Sequence, residues 1–177
     1  MKTRHKLLLL PALFFCFISS AAAGSPPQLG AGYGFDIRSN AHFDQYELFL
    51  RKPLSYTTTI YDTQIASAIE FGFGYIRESG GHASGAGRFS IMPEVILRPR
   101  QRFSFMFGLG AGLMAGETDL SGHRLGGPFL FTVKVGVQFH LTRHWVIEDA
   151  FYHQSNGHIY LQNYSVNTNQ LSVIYAF

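Results

Sequence analysis

Phe103-Ser104-Phe105-Met106-Phe107-Gly108-Leu109-Gly110-Ala111-Gly112-Leu113-Met114 alternates without a break. A β-strand turns successive side chains to opposite faces. Phe103, Phe105, Phe107, Leu109, Ala111 and Leu113 therefore share one side, and Ser104, Met106, Gly108, Gly110 and Gly112 share the other. One face is bulky and apolar, and the other is nearly bare. The same division recurs where Phe129, Phe131, Val133, Val135, Val137 and Phe139 oppose Leu130, Thr132, Lys134, Gly136 and Gln138. It recurs again where Ile69, Phe71, Phe73 and Tyr75 oppose Glu70, Gly72 and Gly74. A soluble sheet would have to bury the apolar faces and solvate the others, and Glu47, Glu70, Arg88, Glu94, Lys134 and Glu148 would then be its solvated side. A narrow closed barrel inverts this: charges pair inside it, glycines make room for long side chains, and the apolar faces meet lipid. The fold class expected is all-β, an eight-stranded antiparallel outer-membrane β-barrel. On this reading arginine is refused at outward Leu109 and alanine is tolerated at inward Gly110.

Turn signals divide the chain into eight segments: Leu29 to Arg38, Gln45 to Arg51, Gln64 to Arg77, Arg88 to Arg98, Arg102 to Met114, Phe129 to His140, His144 to Ser155, and Asn169 to Phe177. No window carries a helical period. Eight is even, as single-chain bacterial barrels require, and several segments reach the ~9–11 residues that cross a bilayer at a tilt. The connections alternate in length. Those around Pro99-Arg100-Gln101 and Leu141-Thr142-Arg143 are tight, whereas Glu78 to Gly87, Ala115 to Gly126 and Asn156 to Thr168 are long and polar. With short turns in the periplasm, the seventh segment runs outward and the eighth returns to end on Phe177.

The chain opens with Lys2, Arg4 and Lys6, the apolar run Leu7 to Ile18, and Ala21-Ala22-Ala23. This is the pattern of a signal peptide, residues 1–23, with cleavage expected after Ala23. The run is too short for a spanning helix, and nothing later approaches the ~20 apolar residues that one needs. Cys16, the only cysteine, falls in this segment without the small residues that precede a lipidated cysteine, so disulfides and thiolate metal sites drop out. Removing the segment takes three of the 14 Lys+Arg and none of the 11 Asp+Glu, which leaves the remainder neutral. The formal charge of +3 thus belongs to the export signal and gives no support to nucleic-acid binding. Residues 24–177 are of single-domain length.

Chemistry concentrates near the end, in Phe151-Tyr152-His153-Gln154-Ser155-Asn156-Gly157. His153 and Ser155 stand two apart on one strand face, so a base and a nucleophile lie side by side. Such a pair arises by chance in many chains. The longer string, preceded by Glu148 and placed at the outer end of a penultimate strand, resembles the His-x-Ser-Asn signature of the lipid A 3-O-deacylase (PagL-type) family of outer-membrane esterases. That resemblance covers the last ~30 residues specifically and the other strands only in pattern. It implies an eight-stranded barrel that removes an acyl chain from the 3-position of lipid A, with Ser155 as nucleophile, His153 as base and an acidic residue at the start of the last strand. Counting back from Tyr175 the matching position holds Asn169, and no acid occurs between Gly157 and Phe177.

Parity puts His153, Ser155 and Asn169 on the lipid-facing surface, so the site would open sideways into the leaflet. Asn169 is expected to hold one imidazole nitrogen by hydrogen bonding, as asparagine does in Cys-His-Asn proteases. The Asn156 side chain and the Gly157 N–H are the expected oxyanion donors. The reading calls for no cofactor and no metal. His140 and His144 flank a tight turn on two different strands with no third ligand, and His82, His123 and His158 fall in expected loops. Asp149 shares the lipid-facing parity, which is awkward at membrane depth, and a bulge or register change that turns it inward is the expected remedy. The expected partners are lipid A and the outer membrane, and a second copy of the chain is a candidate that no residue selects. A structural, adhesive or lipid-binding barrel without catalysis is the other function class, with Ser155-Asn156-Gly157 then only a turn.

Overall fold

The computed structural model describes residues 26–37, 43–78, 85–120 and 123–177. The expected signal segment, its cleavage site, Cys16 and His82 lie outside them, and the His123 side chain is not described. Ten strands follow in order: β1 (Gln28–Asp36), β2 (Phe43–Ile60), β3 (Thr63–Glu78), β4 (Gly85–Arg100), β5 (Phe103–Gly116), β6 (Asp119–Leu120), β7 (His123–Arg124), β8 (Phe129–His140), β9 (Trp145–Ser155) and β10 (Val166–Ala176). Eight of them close an antiparallel barrel in the order β1-β10-β9-β8-β5-β4-β3-β2, and β6 pairs only with β7 in a long loop. Closure leaves the wall no unpaired edge over the shared length.

The two faces of β5 fall as their alternation requires. Leu109 is 55% exposed on the outer wall, whereas Ser104 and Met106 are buried. Phe105, Phe107, Leu113, Val135, Phe139, Leu171 and Val173 share the outer wall with Leu109. Only a hydrocarbon surround makes such a surface stable. Aromatic residues gather at both rims. Tyr175 contacts both Trp145 and Phe177 at the short-turn end, and Tyr33–Tyr46 and Phe129–Phe131 pair towards the long-loop end. Arginine at Leu109 is expected to cost about 2–4 kcal/mol of barrel stability, read as a lower denaturation midpoint by heat-modifiable gel mobility.

Gly110 departs from the expectation of tolerance. A Cβ there would collide with the Ile91 carbonyl oxygen and crowd the Met92 Cα, both backbone atoms of the neighbouring strand. The glycine permits close strand approach as well as room, so Gly110→Ala disturbs the wall. Gly72 behaves as expected: its missing Cβ leaves space that Glu47 Oε1 and Ser90 Oγ occupy.

All six charges assigned to the inner face are buried there. Their hub is Arg51, itself fully buried, which reaches Glu70 and Glu148 at 2.8 Å and Glu94 at 2.5 Å. Lys134 adds contacts of 2.8 Å to both Glu70 and Glu148. Nearer the long loops Arg88 bonds Glu47 and Gln154, and Gln154, Gln45 and Gln170 continue the chain to Glu47. Phe49, Val146 and Ile174 pack below this network, and Phe43, Ile76, Leu125, Leu130 and Val166 close it above. The interior is filled, as an eight-stranded barrel requires, and leaves no solute path among the described residues. Arg51→Leu would leave three glutamates facing one lysine. We expect it to lower stability by about 3–5 kcal/mol, measured by urea unfolding in detergent micelles.

Three strands are clearly longer than their sequence suggests, and one of them, β4, takes in Gly85 to Gly87 from the expected loop and runs on to Arg100. β2 runs on through Pro53 to Ile60, past the expected end at Arg51. β1 begins opposite Arg51, so Pro53 has no ladder partner on the β1 side, and it pairs with Ala68 of β3 on the other. β10 starts at Val166, three residues before the expected start, because Val166, Asn167 and Thr168 pair with Gln154, His153 and Tyr152. The turns at 61–62, 101–102 and 141–144 are short, and the opposite end carries the long loops.

Candidate functional site

β9 brings Phe151, His153 and Ser155 to the outer wall at the long-loop end, with His153 and Ser155 half-buried. Across one seam Phe131 lies opposite Ser155 and Val133 opposite His153, so the nucleophile candidate borders an apolar strip. Across the other seam His153 lies opposite Asn167. The His153 Nδ1 stands 2.7 Å from Asn167 Oδ1. Asn167 Nδ2 is turned to Ser165 Oγ at 3.2 Å, which fixes the amide with its oxygen towards the ring. An amide oxygen only accepts, so Nδ1 carries the proton and Nε2 keeps its lone pair. That tautomer is the one a general base needs.

The asparagine against the ring is thus Asn167 and not the expected Asn169. Asn169 pairs with Phe151, two residues farther from the loops, and its Nδ2 donates to Asp149 Oδ1 at 2.8 Å. Counting back from Tyr175 fixes parity but not register, and parity leaves Asn167 and Asn169 tied. Asp149 also differs from expectation. β9 pairs in regular register along both seams, without a bulge, so Asp149 stays exposed on the outer wall and Asn169 is its hydrogen-bond partner.

Beyond Ser155 the chain makes a tight turn. Ile159 N–H donates to the Asn156 carbonyl at 3.2 Å, and Gly157 and His158 between them have φ of 61° and 66°. Two left-handed residues make this a type I′ turn. Gly157 suits it twice over, because a Cβ would also press to 2.9 Å from the Phe131 ring. Asn156 is fully buried. Its Oδ1 accepts the His158 N–H, and its Nδ2 donates to the carbonyls of Leu125 and Gln162. Both amide hydrogens are thereby committed to bracing the two loops. The side chain expected to face an oxyanion instead holds the turn, and the Gly157 N–H is the remaining donor of the expected pair.

The other histidines have local roles. His140 Nε2 contacts Ser104 Oγ at 2.9 Å, and His144 Nδ1 contacts the Ala176 carbonyl at 2.8 Å while its ring stacks on Tyr175. Among the described residues no three His, Cys, Asp or Glu side chains are grouped to hold a metal ion.

Comparison with known proteins places this geometry. The crystal structure of the outer-membrane enzyme PagL superposes with a TM-score of 0.71 at 16% identity, covering 85% of this chain and 99% of that one. The Yersinia pestis outer-membrane protein Ail, in a nanodisc, superposes with a TM-score of 0.52 at 15% identity, covering 87% of this chain and 100% of its own. Neisserial surface protein A gives 0.52 at 14%, covering 89% and 99%. At these identities the likenesses establish the fold, that of small outer-membrane barrels. A sequence search of curated proteins gives no match. The sequence model of the family described as lipid A 3-O-deacylase (PagL) matches residues 44–176, which span β2 to β10 and include the whole candidate site. The chain belongs to the lipid A 3-O-deacylase (PagL) family.

Proposed function

We propose that this protein is an outer-membrane serine esterase that removes the 3-O-linked acyl chain of lipid A. The observation that carries the reading is the His153–Asn167 hydrogen bond, which leaves Nε2 basic on the face that Ser155 shares. Ser155 Oγ attacks the ester carbonyl as His153 Nε2 takes its proton. The developing oxyanion meets the Gly157 N–H. Collapse of the tetrahedral intermediate breaks the bond to the sugar oxygen, which leaves with the proton from Nε2. Water, deprotonated by the same nitrogen, then releases the fatty acid and restores Ser155. Asn167 holds the ring but adds no negative charge to balance the imidazolium.

The site lies on the outer wall, so an acyl chain reaches Ser155 from the leaflet beside Phe131 and Val133 without entering the filled interior. The orientation that fits puts the short turns in the periplasm and Ser155 at the outer-leaflet surface, after removal of the signal segment. The neutral Asn167 favours a second reading, a barrel of the same shape without catalysis that serves structure, adhesion or lipid binding. Mass spectra of lipid A from cells expressing wild type and Ser155→Ala decide between them. The first predicts loss of one hydroxyacyl chain with wild type only, and the second predicts identical spectra.

A further inference from the structure

The short-turn end of the barrel carries cations that no carboxylate answers. Arg100 and Arg102 are exposed at the turn between β4 and β5, and Arg143 is exposed in the turn between β8 and β9. The two turns are neighbours, because β5 pairs with β8 from Phe103 opposite Phe139, and the His140 N–H donates to the Arg102 carbonyl at 3.0 Å. Neither Ile96 to Phe103 nor Phe139 to Ile147 contains an Asp or Glu. Among the described residues none of these three arginines is in an ion pair. Arg77, towards the long loops, does have a partner, Asp44 at 3.3 Å.

The level of these cations is set by the wall beneath them. Thr142 Oγ1 accepts the N–H groups of His144 and Trp145, and the Leu141 and Thr142 N–H groups donate to the Trp145 carbonyl, so a closed turn presents Arg143 two residues from Trp145. Trp145 is exposed on the outer wall and meets Tyr175 edge to face. Leu97 and Phe139 continue the exposed apolar surface up to the arginines. Tryptophan and tyrosine settle where hydrocarbon gives way to headgroups, which puts the three guanidinium groups among the headgroups. The anion at that depth is the phosphate diester of a lipid, and a guanidinium can bind two of its oxygens at once.

We propose that Arg100, Arg102 and Arg143 form a binding surface for anionic glycerophospholipids, phosphatidylglycerol being the simplest, in the leaflet that meets the short turns. In the orientation given above that is the periplasmic leaflet. A zwitterionic lipid brings an ammonium beside its phosphate and offsets the attraction, whereas an anionic lipid keeps its full charge for the rim. The surface lies at the opposite end of the barrel from Ser155 and fixes the depth of the barrel without taking part in any bond change.

Trp145 is the only tryptophan in the chain, so its fluorescence reports which lipids gather beside Arg143. The folded protein is reconstituted in phosphatidylcholine bilayers in which bromine-labelled phosphatidylglycerol or bromine-labelled phosphatidylcholine replaces part of the lipid, and quenching of Trp145 gives their relative occupancy. Both leaflets carry the label, so the readout depends neither on the direction of insertion nor on the deacylase reading. Wild type at low salt is expected to enrich phosphatidylglycerol roughly three- to tenfold, and ~1 M salt to remove most of that preference. Arg100→Gln, Arg102→Gln and Arg143→Gln combined should abolish the enrichment, lysine at the same three positions should retain most of it, and Arg77→Gln should leave it intact. Heat-modifiable gel mobility checks that each variant is folded. Should the triple variant fail that check, Arg143→Gln alone is expected to at least halve the enrichment. Equal quenching of wild type by both lipids would overturn the proposal. So would an enrichment that survives the glutamine substitutions, or one lost equally in Arg77→Gln, which would trace it to net charge and not to this rim.

Discussion

Ser155→Ala, purified and folded, releases no hydroxy fatty acid from lipid A above background, and His153→Ala is reduced to the same level. The expected loss for each is on the order of 10⁴–10⁶ in kcat, the scale on which serine hydrolases respond when nucleophile or base is removed. The double variant loses little more, because the two groups act in one proton transfer and removing either already stops it. Neither side chain supports the fold: both lie half-buried on the outer wall, away from the Arg51 and Arg88 networks inside. Heat-modifiable gel mobility of all three variants should therefore match wild type. Wild-type turnover should also survive a chelator, since Nε2 and the serine supply the chemistry. Full turnover by Ser155→Ala, or a requirement for calcium, would replace this mechanism with another.

The fold was legible because the chain states one rule many times. Period-two alternation of apolar residues with charges and glycines recurs in β3, β4, β5 and β8, and each repeat divides the two faces of its strand independently. Individual partners were not legible. Arg51 sits at the end of a short segment, and only its parity with Glu47 marks it as inward. That it gathers Glu70, Glu94 and Glu148 depends on the register of four other strands. Strand ends were lost for a related reason. Pro53 and Val166-Asn167-Thr168 fell outside the expected segments, and only the neighbouring strand makes them part of a ladder. In the candidate site the shared face of His153 and Ser155 was legible because strand parity alone sets it. Which residue stands opposite His153 was not, since one register step of the last hairpin decides it.

Asn167 accordingly carries the sharper prediction. Asn167→Ala frees the imidazole to adopt either tautomer and is expected to lower kcat by roughly one to two orders of magnitude, while Asn169→Ala, which removes only the partner of Asp149, leaves kcat close to wild type. Asn167→Glu places a carboxylate where the amide oxygen now receives the Nδ1 proton. It balances the imidazolium that forms in the transition state and is expected to raise the chemical step by about one to three orders of magnitude, on the scale of effects from the orienting carboxylate of a triad. Asn167 is buried, and Ser165 Oγ contacts only the amide nitrogen, so the carboxylate must find its second partner in solvent or in the protonated ring. It also adds negative charge near anionic headgroups, which weakens substrate binding. Single-turnover rates in detergent micelles isolate the chemical step from that loss. An Asn167→Glu enzyme with an unchanged rate, together with a slow Asn169→Ala, would return the orienting role to Asn169 and refute the register that sets His153 against Asn167.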